Sequence, residues 1–185
     1  MHDLNPEDKT VVLIISTIRS GSTLLKALLG TAPDVSHLPE IDFQKYQSPE
    51  GYKRMAELSN APIILLKRPG WVNELRTYPR LPPFPQLKKI VLFRDVYETV
   101  MSIRRMVFGR FEPYTRFLGN RFLAETYWCG MLENLLSLDI LASSHTTWVQ
   151  YESLVANPKG QTRQLFSFIG SCQRTGVSQY NRPAG

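Results

Sequence analysis

Four short β-forming runs punctuate the chain: VVLII at 11–15, PIILL at 62–66, KIVLF at 89–93 and TTWVQ at 146–150. Compact runs of this kind, bounded by turn residues, predict buried strands. Between them apolar residues recur at helical spacing. Leu24, Leu25, Leu28 and Leu29 mark one face of a helix that Gly30 ends, and Val96, Val100, Ile103 and Val107 mark another over 96–107. A long helix at 121–141 turns Phe122, Trp128, Met131, Leu132 and Leu135 inward. Pro158 starts a further helix, packed through Leu165, Phe166 and Ile169 and closed by Gly170. Shorter helices are expected at 51–58 and 71–78, and a turn with a short strand around Val35. KRPG at 67–70 breaks the second strand, LPPFP at 81–85 is a rigid loop, and YESL at 151–154 leads into a loop. The aromatic and basic segment 108–120 reads as a lid or substrate segment.

Buried strands alternating with helices predict an α/β fold: a mostly parallel sheet with helices on both faces, in three layers, as one domain over residues 1–185. Repeats and low-complexity tracts are absent. Ligands of such sheets bind beyond the carboxyl ends of the strands. The first of those ends reads Ser16-Thr17-Ile18-Arg19-Ser20-Gly21-Ser22-Thr23 and runs straight into a helix. The first N–H groups of a helix have no partner inside it and face the turn, which makes the turn an anion site. Gly21 lets backbone come close to a ligand, Ser20, Ser22 and Thr23 add hydroxyls, and Arg19 adds a fork of charged donors. A phosphate or sulfate group suits it; the plain alternative is an ordinary strand-to-helix connection. The nucleoside triphosphate loop G-x-x-x-x-G-K-[ST] does not fit, because Ser16 stands where its first Gly belongs and Ser22 where its Lys belongs. The other strand ends add His37 and Glu40, then Lys67, then Arg94.

Charge and cysteine content narrow the picture. Lys plus Arg exceed Asp plus Glu, 22 to 16, for a net charge of +6. That suits a polyanionic ligand and, in general, nucleic acid or a membrane surface. The charges are dispersed, however, and the densest group, Arg104, Arg105 and Arg110, is too small for a nucleic-acid arm. Two cysteines, Cys129 and Cys172, make neither a disulfide framework nor a zinc site, and Cys129 is expected as a small core residue. No apolar run reaches 18 residues and the first nine residues carry no signal peptide, so a cytoplasmic protein without a membrane span is expected.

Arg19-Ser20-Gly21-Ser22-Thr23-Leu24-Leu25 resembles the loop of the sulfotransferases, roughly [KR]-S-G-[ST]-T-x-L, which holds the phosphosulfate end of 3′-phosphoadenosine 5′-phosphosulfate (PAPS). IVLFRDVYETVMS at 90–102 resembles the second signature of that family, where an Arg and a Ser eight residues later hold the 3′-phosphate; Arg94 and Ser102 keep that spacing. ILLKRP at 64–69 resembles the family's L-K-x-P segment, and residues 151–170 its Y-E-x-L-V-x-x-P…F-x-G block. The likeness runs in order from about residue 11 to 170 and is nearest to the branch that includes the protein-tyrosine sulfotransferases, where a Glu follows the loop's Arg by the 21 residues that separate Arg19 from Glu40.

The resemblance implies a P-loop-like fold and a transferase with PAPS as sulfuryl donor and no metal. It implies Glu40 as the base, with His37 as rival because other branches use His. It puts Lys67 on the transferring group, Arg19 to Thr23 around the phosphosulfate, and Arg94 with Ser102 on the 3′-phosphate. Asp95 is expected to cap the following helix, and Trp148 and Tyr151 to be core or wall. Two departures stand out. The family's closing loop R-K-G-x-x-G-x-x-K survives only as Arg174, Gly176 and Arg182, with Gln179 for the second Gly. Asp42 also stands near where the protein-tyrosine branch has a basic residue. A small-molecule or glycan acceptor is therefore expected ahead of a protein. The rivals are a P-loop kinase-like phosphotransferase and a relative that binds the desulfated nucleotide PAP without turnover.

Overall fold

The computed structural model describes residues 8–36, 38, 48–70, 86–108, 120–136 and 145–179. Its centre is β1 (Thr10–Thr17), flanked by β2 (Ile63–Gly70) and β3 (Leu87–Phe93), with β4 (Thr146–Gln150) beyond β3; the order is β2-β1-β3-β4 and every pairing is parallel. A strand covered on both faces has no polar side to show, which is why residues 11–15 are apolar without alternation. Val11, Leu13 and Ile15 pack with Ile64 and Leu66 against α2 (Pro49–Glu57), α3 (Val96–Ile103) and α4 (Asn120–Leu136). Val12 and Ile14 pack with Ile90 and Leu92 on the other face, against α1 (Ser22–Leu29) and α6 (Pro158–Ile169). These are the expected three layers.

Several local expectations are corrected. β2 does not break at KRPG: it pairs with β1 through Lys67, Arg68 and Pro69 to Gly70. An edge strand tolerates proline, since only one side of its backbone must serve the ladder. Residues 151–156 form a helix, α5 (Tyr151–Ala156), where a loop was expected; Asn157 ends it and caps α6 by accepting the Gly160 N–H at 3.0 Å. The regular part of α3 ends at Ile103 and a π-helical turn follows over Arg104–Phe108. Val96 is exposed; Thr99, Val100 and Ile103 are the buried residues of α3. In α4, Ala124, Met131 and Leu135 are buried, whereas Phe122 and Cys129 face outward. Trp148 is 53% exposed because β4 lies at the edge of the sheet, where it meets Phe93 edge-on with ring centroids 6.5 Å apart. Residues 71–85, most of the expected lid (109–119) and the end of the long helix (137–141) lie outside the described residues.

The far end of α6 is tied to the turn after α1. Asp34 accepts the Ser171 hydroxyl at 2.7 Å and the Cys172 backbone N–H at 2.6 Å. Burial pushes the Asp34 carboxyl up, but the hydrogen bonds from Cys172 and Ser171 outweigh it and hold the group below its ordinary value. No helix among the described residues is long and apolar enough to cross a membrane.

Candidate functional site

Because β2, β1 and β3 are neighbours and parallel, their carboxyl ends lie side by side. The turn after β1 bends sharply, with Arg19 at φ 65° and Gly21 at φ 95°, both in the left-handed region. For Arg19 that conformation is costly, and such strain clusters at ligand sites. Gly21 caps α1 without a side-chain bond, and the first turn of α1 holds no acidic residue. The positive end of the helix is thus left for an anion. The Tyr151 ring lies directly over Gly21, where an added Cβ would come within 2.3 Å of Cδ2. Ser20 is fully buried and its hydroxyl donates to the Thr17 carbonyl, so it braces the turn.

The cations of the three strand ends interlock. Lys67, at 6% exposure, donates through Nζ to Thr23 Oγ1 at 2.7 Å. Arg19 Nε donates to Ser102 Oγ at 3.0 Å, and Arg94 Nη1 donates to the Arg19 carbonyl at 3.3 Å. Ser102, Arg19 and Arg94 therefore form one chain of contacts, which brings α3 past the loop. Arg94 also reaches Glu98 at 3.4 Å and stacks its guanidinium 4.7 Å from the centre of the Tyr151 ring. Asp95 caps α3 as expected, its Oδ1 accepting the Glu98 N–H at 3.0 Å. Its own N–H is held by Glu152 Oε1 at 2.9 Å. Arg94 Nε, Glu152 Oε2 and Ser16 Oγ are buried without a hydrogen-bond partner among the described residues.

His37 and Glu40 lie outside the described residues. Between them in the chain, the Leu38 carbonyl accepts a hydrogen bond from Lys26 Nζ, which ties Leu38 to the last turn of α1. Of the remnant closing loop, Gly176 packs on the Lys159 carbonyl and Val177 exchanges hydrogen bonds with Thr162, at 2.8 and 3.1 Å, on the first turns of α6. Arg182 is outside the described residues. Tyr151 and Glu152 join the site although the sequence reading left the first as core or wall and passed over the second. Their signal was position: they are the first two residues after β4, where the rule for parallel sheets says to look. Among the described residues no group of His, Cys, Asp and Glu is arranged to hold a metal ion.

The chain matches the sulfotransferase family over residues 44–172. That stretch includes Lys67, Arg94 and Ser102 and begins after the Gly21 loop. No curated protein sequence matches the chain. Among solved structures it is similar to the sulfotransferase domain from the curacin biosynthetic pathway, with TM-score 0.69 and 20% identity over 89% of this chain and 75% of that one. The sulfotransferase domain of the Synechococcus PCC 7002 olefin synthase follows, with TM-score 0.61 and 21% identity over 92% and 78%. A sulfotransferase from Alicyclobacillus acidocaldarius has TM-score 0.57 and 14% identity over 95% and 87%. At these identities the structural likeness is one of fold.

Proposed function

Because this chain belongs to the sulfotransferase family, we propose that it moves the sulfuryl group of PAPS to a hydroxyl or amine of a small-molecule or glycan acceptor by in-line displacement. The observation that carries the reading is the contact chain Ser102–Arg19–Arg94 beside Lys67–Thr23, which draws three distant segments to the carboxyl end of the sheet. The residues suit such a nucleotide. Gly21 lets the Tyr151 ring close on the turn where a Cβ would strike it, α1 lacks a side-chain cap, and Arg94 keeps a buried N–H without a partner among the described residues.

In this reading Arg19 to Thr23 and the N-terminus of α1 hold the phosphosulfate, and Arg94 and Ser102 hold the 3′-phosphate. Bound PAPS would supply an activated sulfuryl group on a phosphate leaving group. Sulfuryl transfer, like phosphoryl transfer, is governed by positioning and charge stabilisation. Lys67 and Arg19 would put fixed positive charge beside the oxygens on which charge grows. Glu40, with His37 as the rival, would take the acceptor's proton. These cations meet the charge demand without a metal.

Transfer of labelled sulfate from PAPS to a panel of alcohols, phenols, sugars and amines tests the reading. Transfer that survives a chelator is expected. Phosphate transfer from ATP with magnesium would point to a kinase-like enzyme instead. Tight PAP binding with no transfer to any acceptor would point to a binding protein.

A further inference from the structure

We infer that Glu152 is a positioning residue for Arg94: it is the acceptor onto which the Arg94 Nε–H closes when the guanidinium fork turns to a phosphate. This rests on the reading above, in which Arg94 meets the 3′-phosphate. Glu152 follows Tyr151 at the start of α5, and its Oε1 accepts the Asp95 N–H at 2.9 Å. That bond ties α5 to the residue that both follows Arg94 and caps α3. One carboxylate oxygen thus fixes the junction between the strand end carrying Arg94 and the helix carrying Ser102.

The other oxygen has nothing to hold. Glu152 Oε2 is buried without a partner, and so is Arg94 Nε. Buried polar atoms nearly always have partners. Here an acceptor and a donor of opposite charge type are both left over: Arg94 lies over the Tyr151 ring, and Glu152 holds the N–H of Asp95, the residue after Arg94. Arg94 meanwhile directs its Nη groups to the Arg19 carbonyl at 3.3 Å and to the exposed Glu98 at 3.4 Å, both long for charged donors. A phosphate offers those two groups a bidentate, fully charged partner. Once they leave Arg19 and Glu98 for it, the guanidinium is free to turn its unpaired Nε–H to Oε2, and both orphaned atoms are satisfied in one rearrangement. Glu152 then fixes the direction of the fork without touching the nucleotide.

Glu152→Gln separates the two oxygens. It keeps an oxygen for the Asp95 N–H and puts an amide N–H₂ where the free acceptor stood. Calorimetry should show PAP binding about tenfold weaker than in the wild type. Affinity for adenosine 5′-phosphosulfate, which lacks the 3′-phosphate, and the thermal midpoint should not change. Added to Arg94→Lys, which removes the Nε donor, Glu152→Gln should cost nothing further. Glu152→Ala gives up both oxygens and should lose PAP affinity and melt lower. Wild-type PAP affinity in Glu152→Gln, or full additivity with Arg94→Lys, overturns the inference and leaves the phosphate role of Arg94 standing. A Glu152→Ala protein that melts lower but keeps its PAP affinity overturns it as well, by reducing Glu152 to a structural tie. Absence of PAP binding in the wild type overturns both readings.

Discussion

Gly21 and Tyr151 fit together only because residue 21 has no side chain: a Cβ there would stand 2.3 Å from Cδ2 of the ring, on a backbone already at φ 95°. Gly21→Ala is therefore expected to push the ring aside and strain the turn. PAP affinity should fall more than about tenfold and the thermal midpoint by several degrees. Adding Tyr151→Ala removes the clash but not the left-handed strain, so the double variant should recover only part of the stability. Undiminished PAP binding by Gly21→Ala in a calorimetric titration would remove the cradle from the site.

Arg94→Ala should weaken PAP roughly ten- to a hundredfold, the range for losing charged hydrogen bonds. Adenosine 5′-phosphosulfate should bind the variant and the wild type about equally. If Arg94 serves only its ion pair with Glu98, neither nucleotide responds; if it holds the fold, both do.

The base is tested by turnover at unchanged binding. Glu40→Gln keeps the shape of the side chain but cannot accept a proton, and is expected to lower turnover about a hundredfold or more while PAP affinity holds. His37→Asn is the parallel measurement. An inactive His37→Asn beside an active Glu40→Gln would transfer the role to His37.

Asp34 gives the fold an acid limit. Its carboxyl lies below the ordinary value when folded, because the hydrogen bonds from Cys172 and Ser171 favour the charged form more than burial opposes it. A depressed folded value means stability that is complete above the unfolded value, near 4, and lost as pH falls through the folded one. Asp34→Asn should melt below the wild type at pH 7 and show a flatter acid limb as pH falls below the ordinary carboxylate range, near 4. The same substitution has a second readout. The hydrogen bond to Asp34 pushes the Cys172 thiol up. Asp34→Asn should therefore speed alkylation of Cys172 at mildly alkaline pH. A variant with the wild type's acid limb would detach Asp34 from this role.

The layers were legible because a parallel sheet buried on both faces leaves an unambiguous mark, seen in Val11 to Ile15. The strand-end rule then picked out Arg19, Lys67 and Arg94, which the fold does bring to one edge. What failed was local punctuation overruled by tertiary contact. Pro69 and Gly70 signal a break, yet the register with Ser16 and Thr17 continues the strand through them. Residue type and periodicity put Phe122 and Cys129 inside, Val96 on the apolar face of its helix and Trp148 in core or wall, yet all four are exposed, because periodicity cannot tell where a layer stops. The bond from Arg19 to Ser102 and the ring over Gly21 depend on how two elements pack, for which the chain carries no local pattern. His37 and Glu40 lie outside the described residues.

The order β2-β1-β3-β4 also sets how the chain must fold. Thr10 pairs with Ile63 and Val11 with Leu87, while Lys89 waits for Thr146. No hairpin exists among these pairings to nucleate the sheet, and each closes a long loop before any ladder bond is returned. During synthesis β1, buried in the finished fold along all but its first residue, leaves the ribosome well before either neighbour and stays unpaired until both have been made. Refolding should be slow for a chain of this size, and the exposed β1 surface is where early intermediates of this protein will associate and where a chaperone will bind.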